Sequence, residues 1–374
     1  MKITFWQVIP SPHQSACLRS LAEMGHEVTL VADRECNSER RKIGWTSPDL
    51  GAVHLVLAPT IDIMQTLLRT DIENTIHITA GTRSARCASF IVNAAQTHNL
   101  RIGMLGEPGD PRGVTGLLRR LLYSVEAIQI RKKIDFYLAM GGTGVKWYIS
   151  SGYPSDKVYS YAYVAEKIKK HTANNIGNNA LHVCFAGSLI KRKDAELLLK
   201  ALIEFPTSMW SLTMIGNGPE SAKLMSIIKK CNVSQNVQFK GFLPTEKTQE
   251  LISQSDLFVL PSQFDGWGAV VNEALMCGVP VICSDQCGAS DLLRESWRGS
   301  VFRAQSARSL VEALRPWLER GPMPTDQRER IREWSKNIDG WSVANYLTAI
   351  LEHVYEGKPR PEAPWRKVNC DSPK

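Results

Sequence analysis

No stretch of this sequence comes near eighteen consecutive apolar residues, so no membrane-crossing helix is expected. The nine cysteines include no C-x-x-C pair, and the densest group, Cys277, Cys283 and Cys287, lacks the spacing of a zinc site. Buried free thiols in a reducing compartment are the expectation. The opening segment MKITFWQVIPSP has one lysine and a short apolar run ended by proline, which reads as a first strand and not as a signal peptide. Aromatic residues make up 8% and form no stripe with basic ones, which argues against a nucleic-acid surface. Positive charge is what the chain has in excess. Lys and Arg number 45 against 37 Asp and Glu, giving a net charge of +8. That balance suits an anionic partner: nucleic acid, an anionic membrane or a phosphorylated small molecule.

At 374 residues the chain is long for one core, and two domains are expected. ITFWQVI reads as a strand, QSACLRSLAEMG as a helix closed by Gly25, and HEVTLVA as a second strand. This βαβ unit implies parallel pairing. Alternation continues through HLVLAPT, TIHITA, RIGML and DFYLAMG. The segment EKIKKHTANNIGNNA has no apolar period and reads as a linker over 166–180. Alternation then restarts at LHVCFAGS and runs to LFVLPS. The expected class is α/β, with doubly wound Rossmann-like domains over 1–165 and 181–340. WSVANYLTAILEHVYEG reads as a long helix over 341–357, followed by a proline-rich extended tail over 358–374.

The most informative segment is PSQFDGWGAVVNEALMCGVPVICSD, residues 261–285. Open parallel sheets bind ligands beyond the carboxyl ends of their strands, and LFVLPS is such a strand. The loop that follows it therefore sits where a ligand would. Gly266 and Gly268 let backbone N–H groups approach a ligand closely. A helix start at Ala269 and Val270 offers further N–H groups to a phosphate. Asp265 before the glycines and Glu273 within the helix can each accept hydrogen bonds from hydroxyls. Hydroxyls, phosphates and hydroxyls again is the order found in a nucleotide sugar. A tight turn with a helix-start acid and a solvent-facing Glu273 is the simpler alternative.

Asp265, seven residues, then Glu273, followed by ALMCGVPVICSD, resembles the E-x7-E signature of the retaining glycosyltransferases of family 4, which adopt the GT-B fold. FAGSLIKRKDAELLLKAL, LTMIGNGPE, VQFKGFLP and SDLFVLPSQFDGWG resemble other motifs of that family, in the right order, over roughly 181–295. The resemblance implies two Rossmann-like domains facing across a cleft, an acceptor-binding N-terminal domain and a donor-binding C-terminal one. It implies a last helix that crosses back to the first domain. It also implies a hexosyl transfer from a nucleoside-diphosphate sugar to a glycan or lipid-linked acceptor, as in surface polysaccharide biosynthesis, with no obligatory metal or other cofactor. Carried over by position, Lys193 would neutralise the diphosphate and Glu273 would bind the ribose. Asp265 and the backbone of Gly266, Trp267 and Gly268 would hold the transferred sugar, and Ala269 and Val270 would present amides to the distal phosphate. Gly187 and Ser188 stand at the family's glycine–arginine step, where the arginine is replaced by Ser188 and Lys191 or Arg192 could substitute. Asp265 is one methylene shorter than the family's glutamate. On the acceptor side His13, His77 and Glu107 are the candidates. A fixed cation at Lys193 makes physical sense, because the leaving group gains negative charge as the glycosidic bond breaks.

Other classes fit less well. IGNGPES imitates a dinucleotide fingerprint, but Ser221 stands at its third glycine and no acid ends a second strand, which weakens an NAD-dependent Rossmann enzyme. A glycoside hydrolase could use Asp265 and Glu273 as an acid–base pair but has no use for a phosphate-ready lysine. A sugar-nucleotide epimerase of the same fold stays open. The expected location is the cytoplasm, with the inner face of a membrane as a second address. That address rests on residues 112–133, where Arg112, Arg119, Arg120, Arg131, Lys132 and Lys133 accompany one acid, Glu126. Val114, Leu117, Leu118, Leu121, Leu122, Val125 and Ile128 repeat there at helical spacing. The simpler arrangement packs this stripe on the sheet with the charges in water. The other lays it on an anionic bilayer.

Overall fold

A computed structural model describes residues 1–36, 47–82, 86–166 and 180–367. The chain divides into two compact units, residues 1–167 with 337–374, and residues 168–336. The linker expected at 166–180 falls almost wholly on 167–179, outside the described residues.

In the first unit, strands β1 (Lys2–Gln7), β2 (Glu27–Ala32), β3 (His54–Leu57), β4 (Thr75–Ala80), β5 (Arg101–Gly106), β6 (Phe136–Met140) and β7 (Val158–Tyr161) form one sheet. Helices α1 (Pro12–Glu23), α2 (Ile61–Arg69), α3 (Arg86–Thr97), α4 (Gly113–Ile130) and α5 (Gly141–Ser150) lie between them in sequence. The strand order is β3-β2-β1-β4-β5-β6-β7, and the pairings are parallel. The central strands are buried on both faces, and β6, FYLAM, accordingly reads as a continuous apolar run.

The second unit repeats the plan. Strands β8 (Leu181–Ala186), β9 (Trp210–Ile215), β10 (Val237–Gly241), β11 (Leu257–Leu260), β12 (Val281–Ser284) and β13 (Gly299–Phe302) alternate with helices α6 (Ala195–Ile203), α7 (Ser221–Lys230), α8 (Thr245–Ser253), α9 (Val270–Met276), α10 (Ala307–Arg320) and α11 (Thr325–Ser335). The parallel order is β10-β9-β8-β11-β12-β13. Strand order reverses between β8 and β11, and the carboxyl ends of strands at such a switch point are where open parallel sheets bind ligands.

The last helix, α12 (Gly340–Glu356), belongs to the first unit and packs along α1. Gly340 permits the approach: a Cβ there would lie 2.7 Å from the Ala16 carbonyl oxygen. Asp339 caps the helix, accepting from the Ser342 N–H at 2.8 Å, and Tyr346 donates to the Ser160 carbonyl at 3.1 Å. Over 358–367 the chain is extended apart from a short turn at Pro364–Arg366, and it is packed. Arg360 covers the Tyr159 ring, and Trp365 is fully buried edge-on to Tyr346.

Helix α4 overturns the simpler arrangement expected for its apolar stripe. Gly116, Ala127 and Ile130 are its buried residues, while Val114, Leu117, Leu118, Leu121, Leu122, Val125 and Ile128 are all at least half exposed. The stripe faces away from the unit's own core.

Candidate functional site

The site residues expected in the C-terminal half gather at the β8–β11 switch point. Gly187 and Ser188 follow β8, and the short turn Lys191–Lys193 follows them. Asp194 then starts α6 in a left-handed conformation, with φ of 51°. Gly216 and Gly218, after β9, let the two loops interlock. A Cβ on Gly216 would overlap the Gly187 carbonyl, and one on Gly218 would overlap that of Leu189. The Leu189 N–H donates to the Asn217 carbonyl at 2.9 Å, and the Glu220 N–H donates to Leu189 at 3.0 Å.

The loop after β11 is fixed from both sides. Towards β8, the Gln263 N–H donates to the Arg192 carbonyl and Arg192 donates to the Phe264 carbonyl, each at 2.8 Å. Towards β12, the Asp265 N–H donates to the Gln286 carbonyl and the Gly288 N–H to the Asp265 carbonyl, each at 3.0 Å. Gly268 has φ of 90°, and a Cβ there would stand 2.7 Å from Cys287 Sγ and 2.9 Å from a Leu260 methyl. Only glycine suits that position. The Trp267 indole points inward, 2% exposed, and its Nε1 donates to Asn272 Oδ1 at 2.8 Å. Trp267 therefore offers a ligand its backbone alone. The N–H groups of Gly266, Trp267, Gly268, Ala269 and Val270 find no backbone acceptor among the described residues.

Asp265, expected at the transferred sugar, and Lys193, expected at the diphosphate, are joined. Lys193 Nζ donates to Asp265 Oδ2, and Arg192 stands 3.9 Å from the same oxygen. Both members of the pair are mostly buried, with side chains 16% and 13% exposed. The lysine is thus not an idle cation: its charge is already matched by a carboxylate that a diphosphate would have to displace or share.

Glu273 lies in the first turn of α9. Its carboxyl has no hydrogen-bond or ion-pair partner among the described residues. Burial pushes it up from 4.5 to about 7, although part of the side chain stays accessible. A half-buried carboxyl without a donor is an acceptor awaiting one. The helix is only seven residues long, so its dipole adds little and the loop amides are the main donors.

The three acceptor-side candidates belong to the first unit. His77 is a core residue: it is 0% exposed within β4, its Nδ1 accepts from Trp6 Nε1 at 3.2 Å, and burial lowers it to about 4. That removes it from contact with any ligand. His13, on the first turn of α1, lines a small apolar pocket with Gln14, Cys17 and Tyr161. Glu107 is exposed just beyond β5. Gly288 and Asn272 escaped the sequence reading. Gly288 approaches Gly266 so closely that a Cβ would overlap the Gly266 carbonyl, and a glycine one strand further on was the available signal. Cys17, Cys87, Cys184, Cys277, Cys283 and Cys287 are buried free thiols.

Residues 166–334 match the family described as Glycosyl transferases group 1. The chain is 25% identical over 179 residues to the N-acetylgalactosamine-N,N'-diacetylbacillosaminyl-diphospho-undecaprenol 4-alpha-N-acetylgalactosaminyltransferase of Campylobacter jejuni, covering 46% of this chain and 48% of that protein. It is 26% identical over 174 residues to the lipopolysaccharide glucosyltransferase WaaG of Escherichia coli, covering 46% of each. The chain thus spans about half the length of these relatives. Among solved structures, HepE of Anabaena in complex with UDP has a TM-score of 0.69 at 15% identity, covering 94% of this chain and 100% of that one. The apo lipopolysaccharide outer core galactosyltransferase WaaB has a TM-score of 0.69 at 14% identity, covering 94% and 99%. The fold is GT-B.

Proposed function

We propose that this chain is a retaining glycosyltransferase that moves a hexosyl group from a nucleoside-diphosphate sugar to a glycan or lipid-linked acceptor in surface polysaccharide assembly. The observation that carries this reading is the grouping, at one switch point, of an unpartnered carboxyl at Glu273, the Lys193–Asp265 pair and a run of open loop amides. A nucleotide sugar supplies ribose hydroxyls for Glu273, a diphosphate for Lys193 and the amides of Ala269 and Val270, and sugar hydroxyls for Asp265 and the backbone of Gly266 to Gly268. As the bond from the anomeric carbon to the diphosphate breaks, the departing oxygen gains negative charge. Lys193 then shifts from Asp265 towards that oxygen and stabilises the transition state more than the bound donor. Arg192, held beside Asp265, supplies the second cation in place of the arginine absent at Ser188.

The acceptor falls to the first unit, where His13 and Glu107 are the candidates that keep an accessible side chain. The family match over 166–334 and the transferase names of the relatives support this reading over an epimerase. A lipid-linked acceptor would bring the chain to the inner face of a membrane. The test is incubation with nucleotide sugars and an oligosaccharide or lipid-linked acceptor, following nucleoside diphosphate release and the product anomer. Release that depends on acceptor, with retained configuration, is expected. An inverted anomer contradicts retention, and donor isomerised without acceptor favours the epimerase.

A further inference from the structure

The outward face of α4 is the largest feature that the transfer reading leaves unused. Val114 is 85% exposed, Ile128 68% and Leu117 63%, and four further large aliphatic side chains lie in the same stripe. Apolar faces of this size on one helix mark an interaction surface. The exposed charges that the helix and its C-terminal end carry are of one sign. Arg119 and Arg120 flank it along the helix, and Arg131, Lys132 and Lys133 follow its end. The single acid, Glu126, is turned inward, accepting from Thr82 at 2.8 Å and from Tyr153 at 3.0 Å. The exposed face thus presents apolar and cationic groups and no carboxylate of its own helix.

We propose that this face docks on an anionic lipid bilayer, with the aliphatic stripe in the headgroup–acyl boundary and the arginines and lysines among lipid phosphates. The charge pattern selects the occupant. A protein partner or a second copy of this chain would have to meet aliphatic residues rimmed by five cations, and this chain carries net positive charge. A bilayer bearing phosphatidylglycerol offers apolar depth and negative surface together. The proposal gives the transfer reading its partner surface, but binding to vesicles needs neither donor nor acceptor, so the two can fail separately.

The test is co-sedimentation of the full chain with vesicles of phosphatidylcholine plus phosphatidylglycerol, against phosphatidylcholine alone. Binding to the mixed vesicles and its weakening by salt are expected. Leu117→Ser with Leu121→Ser, and separately Lys132→Glu with Lys133→Glu, should each reduce partitioning on the order of tenfold. All four positions are exposed, so both variants should keep the wild-type melting temperature and nucleotide binding. No binding to mixed vesicles at low salt overturns the proposal. So does binding that both variants retain, and so does a concentration-dependent dimer that the leucine variant abolishes.

Discussion

At the scale of single residues, the account rests on two carboxyls with opposite surroundings. Glu273 is unpartnered and lifted to about 7, so the folded chain holds a proton between about 4.5 and 7 that the unfolded chain has released. Stability therefore falls as pH rises through that window. Glu273→Gln, neutral throughout, should melt higher than wild type near about pH 8 and no higher near about pH 4. Ligand hydroxyls favour the ionised form, so nucleoside diphosphate affinity should weaken as pH falls below about 7 in wild type, more than in Glu273→Gln. Titration of the phosphate itself is common to both proteins, and calorimetry of the pair isolates the residue. Asp265 is matched by Lys193 instead. Asp265→Asn should cut sugar transfer by on the order of a hundredfold, since misplacing the reacting carbon by about 1 Å is enough for that. It frees the Lys193 charge, so nucleoside diphosphate should bind as tightly as before or more tightly. Asp265→Glu should retain partial transfer. Unaltered transfer in the Asn variant would remove Asp265 from the site. The positions of these acids were legible from their spacing around two glycines. Their ion-pair state was not, because it depends on the β8 loop reaching across the switch point, which no local pattern encodes.

At the scale of elements, loop geometry decides what the site can hold. Gly268→Ala forces a side chain into a left-handed position against Cys287 Sγ and Leu260. A loss of about 1–3 kcal/mol is expected, read as a lower denaturant midpoint with unchanged slope. Adding Cys287→Ala should recover part of it. An unshifted midpoint in the single variant would mean that the loop relaxes freely. Strands and helices of both units were readable because parallel strands are continuous apolar runs and the helices between them are periodic. Helix α4 shows where periodicity stops. Its spacing announces an amphipathic helix but not which face meets the sheet, and the small residues Gly116 and Ala127, not the leucines, turned out to pack. His77 illustrates the same limit: a histidine in the strand TIHITA can point to a ligand or to a tryptophan, and Trp6, distant in sequence, settles it.

At the scale of the whole molecule, the chain's last segment completes its first unit. Helix α12 lies on α1, and Trp365 is buried beyond it. Truncation before Asp339 strips that surface, so amides of the first unit should lose hydrogen-exchange protection while those of 180–336 keep theirs. Unchanged protection in the first unit would contradict this. The central claim is that the second unit binds a nucleotide sugar through Glu273 and the loop after β11. The most direct test is the melting temperature of wild type and Glu273→Ala, side by side, against a panel of UDP-, GDP- and ADP-sugars. A ligand that binds only the folded chain raises its melting point by mass action. The account predicts that at least one nucleotide sugar stabilises wild type and that Glu273→Ala loses most of the shift, as removal of a charge-assisted hydrogen bond of about 1.5–3 kcal/mol requires. A wild type that no nucleotide sugar stabilises, or a variant that keeps the full shift, would contradict it.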